Sequence, residues 1–119
     1  MIQKLSLCVP LDRCGVWSVK IFHIYNGFFH KQGKPGNFIK CSIKKTKPNN
    51  QIQLGFKTKG ILINSRFLLK KKDGIKYCFK YNTIVLLKKR LTPRGRELYG
   101  VIPFLVKRKK FCNSFPGII

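Results

Sequence analysis

Phe38-Ile39-Lys40-Cys41-Ser42-Ile43-Lys44 is the stretch that decides the fold. Ile39, Cys41 and Ile43 alternate with Lys40, Ser42 and Lys44. Successive side chains of a β-strand point to opposite faces, so this period of two gives one apolar face and one basic face.

The flanking segments agree with it. Upstream, Val16 to Tyr25 is a run rich in β-branched and aromatic residues, closed by the turn signal Asn26-Gly27. Downstream, Lys59 to Asn64 holds Ile61, Leu62 and Ile63. Thr83-Ile84-Val85-Leu86-Leu87 has no polar alternation at all and reads as a strand buried on both faces. Between the last two lies a hairpin, Arg66 to Phe79, with Asp73-Gly74 at its apex, which suits a type I′ turn. Gly33-Lys34-Pro35-Gly36, Lys47-Pro48-Asn49-Asn50 and Thr92-Pro93-Arg94-Gly95 mark loops. No stretch has the pattern of a long amphipathic helix. Short strands with Gly/Pro turns at this density predict a mainly all-β chain closed into a small barrel, with a protruding basic hairpin and a short C-terminal tail. One domain accounts for residues 1–119, the barrel taking about 1–102 and a basic extension about 103–119.

The charge then limits the function. There are 26 Lys+Arg against 3 Asp+Glu, a formal net charge of +23. Such density opposes compaction unless a polyanion neutralises it. Yet 44% of the residues are hydrophobic, too many for a disordered basic tail. A chain with both properties is a folded protein that lives on nucleic acid. Lysine far outnumbers arginine, and Ile, Phe and Asn are frequent, as in proteins from A/T-rich organellar genomes.

Cys8, Cys14, Cys41, Cys78 and Cys112 are odd in number, and none forms a C-x-x-C pair. No signal peptide precedes them, so they read as reduced, buried or half-buried thiols, not a disulfide framework. With only His23 and His30 as added ligands, no zinc motif exists and no cofactor is expected. No apolar run approaches the ~20 residues of a membrane span. The N-terminus lacks an arginine-rich transit peptide, so either the protein is made where it works or a presequence precedes this sequence.

Catalysis has little to work with. Acid–base chemistry needs a carboxylate pair, or a carboxylate with His. Asp12 and Asp73 both stand in turn-like surroundings and read as turn formers. No Gly-rich phosphate loop or nucleophile elbow is present. The chain is not expected to be an enzyme.

The candidate RNA-binding residues come in sets. Lys40 and Lys44 share a strand face, and Lys45 and Lys47 extend it into a loop. Arg66, Lys70, Lys71, Lys72 and Lys76 lie on the hairpin, a shape suited to a crevice between RNA helices. Lys88, Lys89 and Arg90 follow the buried strand directly, and Lys107, Arg108, Lys109 and Lys110 form a C-terminal cluster. Pro93 and Gly95 are expected to turn Arg94 and Arg96 outward as a partner-contact loop, with Glu97 holding one of them. Phe28, Phe29, Tyr77, Phe79 and Tyr81 have the chemistry to stack on bases, but in a chain of this size most aromatic residues are expected in the core.

These motifs together resemble large-subunit ribosomal protein fourteen in its bacterial and organellar form. Met1-Ile2-Gln3 matches that family's opening, and Asp12 and Gly15 fall in its Ala-Asp-Asn-Ser-Gly motif. Gly27, Gly36, Ile39-Lys40, Ile43-Lys44, Pro48 and Gly55 follow in register. Asp73-Gly74, Phe79, Asn82 and Val85-Leu86-Leu87 match its next signature, and Pro93, Gly95, Leu98 and Gly100 echo its last. The resemblance covers residues 1 to about 102. It implies a five-stranded barrel bound to large-subunit rRNA at the subunit interface, beside large-subunit proteins three and nineteen. It further implies a bridge to small-subunit rRNA and a ribosome-silencing factor near the C-terminal loop. The chain departs from the family at Arg13-Cys14, Glu97 and Val101-Ile102, and after Ile102 the usual Arg-Glu-Leu-Arg stretch is missing.

The expected role is therefore a structural constituent of the large ribosomal subunit in a mitochondrion, with another organelle or a bacterial cytoplasm as alternatives. The rival readings are a free-standing OB-like single-strand-binding protein, which needs aromatics on an exposed strand face, and a small cysteine enzyme.

Overall fold

The computed structural model describes residues 2–25, 32–95, 97–98, 100, 102–103 and 117–118. In chain order the strands are β1 (Ile2–Gln3), β2 (Leu7–Pro10), β3 (Val16–Tyr25), β4 (Gln32–Gly33), β5 (Phe38–Thr46), β6 (Lys57–Asn64), β7 (Leu69–Lys70), β8 (Lys76–Tyr77), β9 (Thr83–Leu87), β10 (Glu97–Leu98) and β11 (Gly117–Ile118). No described residue is helical.

β2, β3, β5, β6 and β9 close into a five-stranded barrel. Neighbours are antiparallel except at the seam between β2 and β9, which run parallel with Val9 opposite Thr83. Inward-facing aliphatic side chains fill the lumen. Val19, Ile21 and Ile24 of β3 meet Ile39, Cys41 and Ile43 of β5, Leu62 of β6 and Ile84 and Leu86 of β9. Each buried aliphatic side chain of this size contributes roughly 1.5–3 kcal/mol relative to exposure.

β9 is buried throughout, as its sequence predicts, because it faces two cores. Ile84 and Leu86 point into the lumen. Val85 and Leu87 join Ile61, Ile63 and Leu98 in a second cluster outside the barrel, with Leu11, Phe38 and Ile102 against it. The segment after β9 thus crosses back over β6 and β9. Gly117–Ile118 pairs in parallel with Glu97–Leu98, so this part of the tail is held by the chain itself.

The expected aromatic core is not found among the described residues. Trp17, Phe22, Tyr25, Phe56, Phe67 and Tyr81 are exposed, and Phe38, Tyr77 and Phe79 are half-buried. The lumen is filled instead by Ile, Val, Leu and Cys side chains.

The hairpin also differs in detail. β7 pairs with β8, Leu69 opposite Tyr77 and Lys70 opposite Lys76. A type I′ turn needs positive φ at both Asp73 and Gly74, but only Gly74 has it, at 89°. The Gly74 N–H donates to the Lys71 carbonyl at 3.1 Å and the Lys71 N–H to the Ile75 carbonyl at 2.8 Å. This is a three-residue loop, a turn over Lys72-Asp73 followed by a left-handed glycine. Asp73 Oδ1 accepts the Ile75 N–H at 3.1 Å, its expected role as a turn former.

Candidate nucleic-acid interface

The strand directions sort the basic residues to opposite ends of the barrel. β5 ends, β6 begins and β9 ends at one of them, and the loop of residues 11–15 lies there too. Lys44, Lys45, Lys47, Lys88, Lys89 and Arg90 are exposed at that end. The Lys88 N–H donates to the Thr92 carbonyl at 2.7 Å and the Leu91 N–H to the Lys88 carbonyl at 2.9 Å, so the three cations ride on a closed turn. The hairpin leaves β6 and enters β9 at the other end. It carries Arg66, Lys70, Lys71, Lys72 and Lys76, all exposed. The five residues of β9 separate the two groups by ~17 Å at ~3.3 Å each. Lys107, Arg108, Lys109, Lys110 and Arg96 lie outside the described residues, as do Asn26-Gly27, Phe28, Phe29, His30 and Cys112.

Between the ends, the outer face of β3, β5 and β6 carries a ladder of cations. Lys20 lies opposite Ser42, and Ser42 opposite Lys57; His23 lies opposite Lys40, and Lys40 opposite Lys59. Lys40 is half-buried in the middle of this face. Sequence reasoning singled out Lys40 but not Lys20, Lys57 or Lys59. Lys57-Thr58-Lys59 was legible, since it alternates around Thr58, which is buried. The sequence reading began this strand at Lys59, two residues after its observed start at Lys57.

The loop after Pro93 is not built as expected. Arg94 does not point outward. Its guanidinium lies 5.2 Å from the Phe56 ring centroid, and its Nε donates to Thr58 Oγ1 at 3.3 Å. Glu97 pairs with Arg13 at 2.7 Å, a part-exposed ion pair that contributes little to stability. What fixes the loop is Asp12, only 5% exposed. Its Oδ2 accepts the Gly95 N–H at 3.0 Å, across 83 residues of sequence. Asp12 also faces Leu98 in a β-bridge, and the Arg94 N–H donates to the Leu86 carbonyl at 3.0 Å. A Cβ at position 95 would stand 2.7 Å from Asp12 Cβ and 3.0 Å from the Arg13 backbone nitrogen, which explains the glycine. Asp12 is therefore a long-range anchor, more than the local turn former its sequence neighbours suggest.

Burial pushes the Asp12 carboxyl above its ordinary value, with the Gly95 N–H opposing that shift. Between the unfolded value of 3.8 and the raised folded one, the native state binds more protons than the unfolded chain. Stability therefore falls as pH rises through this window. Asp12→Asn keeps an acceptor for Gly95 but cannot ionise. The difference in melting temperature between wild type and Asp12→Asn should shift in favour of the variant as pH rises from about 3.8. Parallel curves would show that Asp12 ionises without penalty.

The thiols offer no nucleophile at this end. Burial pushes Cys8, Cys14 and Cys41 up to about 12, so they stay protonated at neutral pH. Cys78, expected at least half-buried, is exposed on the hairpin. Among the described residues no three His, Cys, Asp or Glu groups cluster to hold a metal, and no helix is long and apolar enough to cross a membrane.

Comparison with known proteins places the chain in a family. The family model described as ribosomal protein L14p/L23e matches residues 1–115. That is beyond the point, near residue 102, where the resemblance by motif stops. The large ribosomal subunit protein uL14m of Tetrahymena pyriformis is 47% identical over 119 residues, covering 100% of both chains. The large ribosomal subunit protein uL14 of Mesomycoplasma hyopneumoniae is 29% identical over 113 residues, covering 95% of this chain and 93% of its own. With its length matched by that model and its five-stranded barrel closed, this chain belongs to the ribosomal protein L14p/L23e family.

Proposed function

We propose that this chain is a structural constituent of the large subunit of a mitochondrial ribosome, where it binds large-subunit rRNA. The full-length 47% identity to a uL14m protein carries the reading. The charge supports it, since +23 on a folded barrel calls for a polyanion. The role is not enzymatic: the relatives are ribosomal proteins. Asp12, Asp73 and Glu97 hold a loop, a turn and an ion pair.

The mechanism is electrostatic and geometric. Two cationic ends and a cationic face on one rigid barrel neutralise phosphates of separate RNA segments and fix their spacing. The hairpin reaches one segment. The turn Lys88-Lys89-Arg90, with Lys44, Lys45 and Lys47, reaches another. A contact with small-subunit rRNA at a bridge fits this second end, with Lys88, Lys89 and Arg90 as its cations in place of Arg94. Large-subunit proteins three and nineteen, and a silencing factor, are proposed neighbours on the segment after Pro93.

The test is sedimentation. A tagged full-length chain expressed in mitochondria should co-migrate with the large subunit through a high-salt gradient. Recovery only in the light fractions would sink the proposal and favour a free single-strand-binding protein.

A further inference from the structure

We propose that the outer face of β3, β5 and β6 is a base-stacking site, with Phe22 and Tyr25 as platforms for unpaired RNA bases and Lys57 and Lys59 as their phosphate partners. The proposal rests on the rRNA-binding reading above and assigns a surface that the basic runs of the sequence do not reveal.

A β-bulge builds the site. Ile21 lies opposite Cys41, but His23 lies opposite Lys40, so Phe22 is the extra residue on β3. Strict alternation would send His23 and Tyr25 inward. The bulge re-aims the strand, and Phe22, His23 and Tyr25 all emerge on the outer side while Ile21 and Ile24 stay buried. Phe22 is 37% exposed and Tyr25 41%. These rings are partly open, not stranded in solvent. The His23 ring stands edge-on to Tyr25 at 4.6 Å between centroids. Lys57 Nζ lies 5.9 Å from the Phe22 centroid and Lys59 Nζ 5.8 Å from that of Tyr25.

Charge names the occupant. Lys20, Lys40, Lys57 and Lys59 surround the rings, and none of the three acids is near: Asp12 is buried, Asp73 caps the hairpin and Glu97 pairs with Arg13. A cationic groove interleaved with aromatic faces suits a single strand, because every base has a π-face and every nucleotide a phosphate. A fully paired duplex hides its bases and uses only the lysines.

The experiment compares two probes on the full chain: a single-stranded oligo(A) RNA and a fully paired RNA duplex of equal length. Phe22→Leu with Tyr25→Leu keeps apolar bulk but removes the rings; circular dichroism verifies the fold. Affinity for oligo(A) should fall roughly tenfold or more, given what one stacked base contributes, with the duplex affinity and the salt slope unchanged. Ultraviolet crosslinking of wild type to oligo(A) should map to the β3 peptide. Equal affinity of variant and wild type for oligo(A), or crosslinks elsewhere, overturns the stacking site while leaving rRNA binding intact. A wild-type chain that binds neither RNA overturns the rRNA reading itself. Tighter binding to phosphatidylserine vesicles than to RNA, lost in the double variant, overturns it in favour of a lipid surface.

Discussion

Replacing Lys70, Lys71 and Lys72 together with Ala lowers affinity for large-subunit rRNA by roughly a hundredfold at physiological salt. Each phosphate contact contributes about 0.7–0.9 to the slope of log K against log salt, so the slope falls by roughly 2 to 3 units. All three side chains are exposed around a hairpin tip. None of residues 66–82 belongs to either core cluster. The barrel therefore keeps its melting temperature, and the loss belongs to binding alone. Filter binding across a salt series reads the slope directly. An unaltered slope on an intact fold would mean that these lysines only keep the hairpin from pairing with another sheet edge.

Leu86→Ala is expected to have the largest effect on stability. Leu86 is fully buried in the lumen, on the strand shared by both cores. The truncation removes buried apolar contacts and leaves a cavity in the lumen, so the cost falls in the ~2–5 kcal/mol range for such changes. Against a total of ~5–15 kcal/mol, and with uncompensated charge pressing the other way, that approaches unfolding. The denaturation midpoint should drop sharply, while Leu54→Ala, at a side chain 65% exposed, should change it little. A small effect at Leu86 would mean the lumen is loosely packed.

The sequence made the long strands legible where one face was apolar or both were. β5 alternates cleanly, β9 is continuously apolar, and β3 is dense in β-branched residues, so all three appear with bounds within two residues of those observed. β2 is different. Its outward Leu7 and Val9 are exposed apolar residues, so no polar alternation betrays it. The site was legible only in part. Runs of lysine mark the two ends, but which end each occupies depends on strand direction, which no run encodes. Arg94 and Asp12 were misjudged for one reason: their partners, Thr58, Phe56 and Gly95, are 36, 38 and 83 residues away. The aromatic residues were misplaced because composition predicts burial by residue type, whereas here the inward positions are taken by aliphatic side chains and Cys. The bulge had a trace in Ile21-Phe22-His23-Ile24, two outward residues between two inward ones, though period-two reading passes over it.

The parallel seam of β2 and β9 bears on how the chain is made. β2, β3, β5 and β6 exist before β9 is synthesised, and during that interval they form at most an open sheet with two free edges. Val9 cannot meet Thr83 until the hairpin between them has been translated. At about 5–20 residues per second, adding the segment between Asn64 and Thr83 takes on the order of 1–4 s. Local collapse is complete in far less than a millisecond. The nascent sheet therefore waits, thousands of times longer than its own relaxation, with its edges available to other chains. The hairpin that the finished protein extends toward RNA is also a delay line: each residue added to it prolongs the exposure of an unclosed barrel.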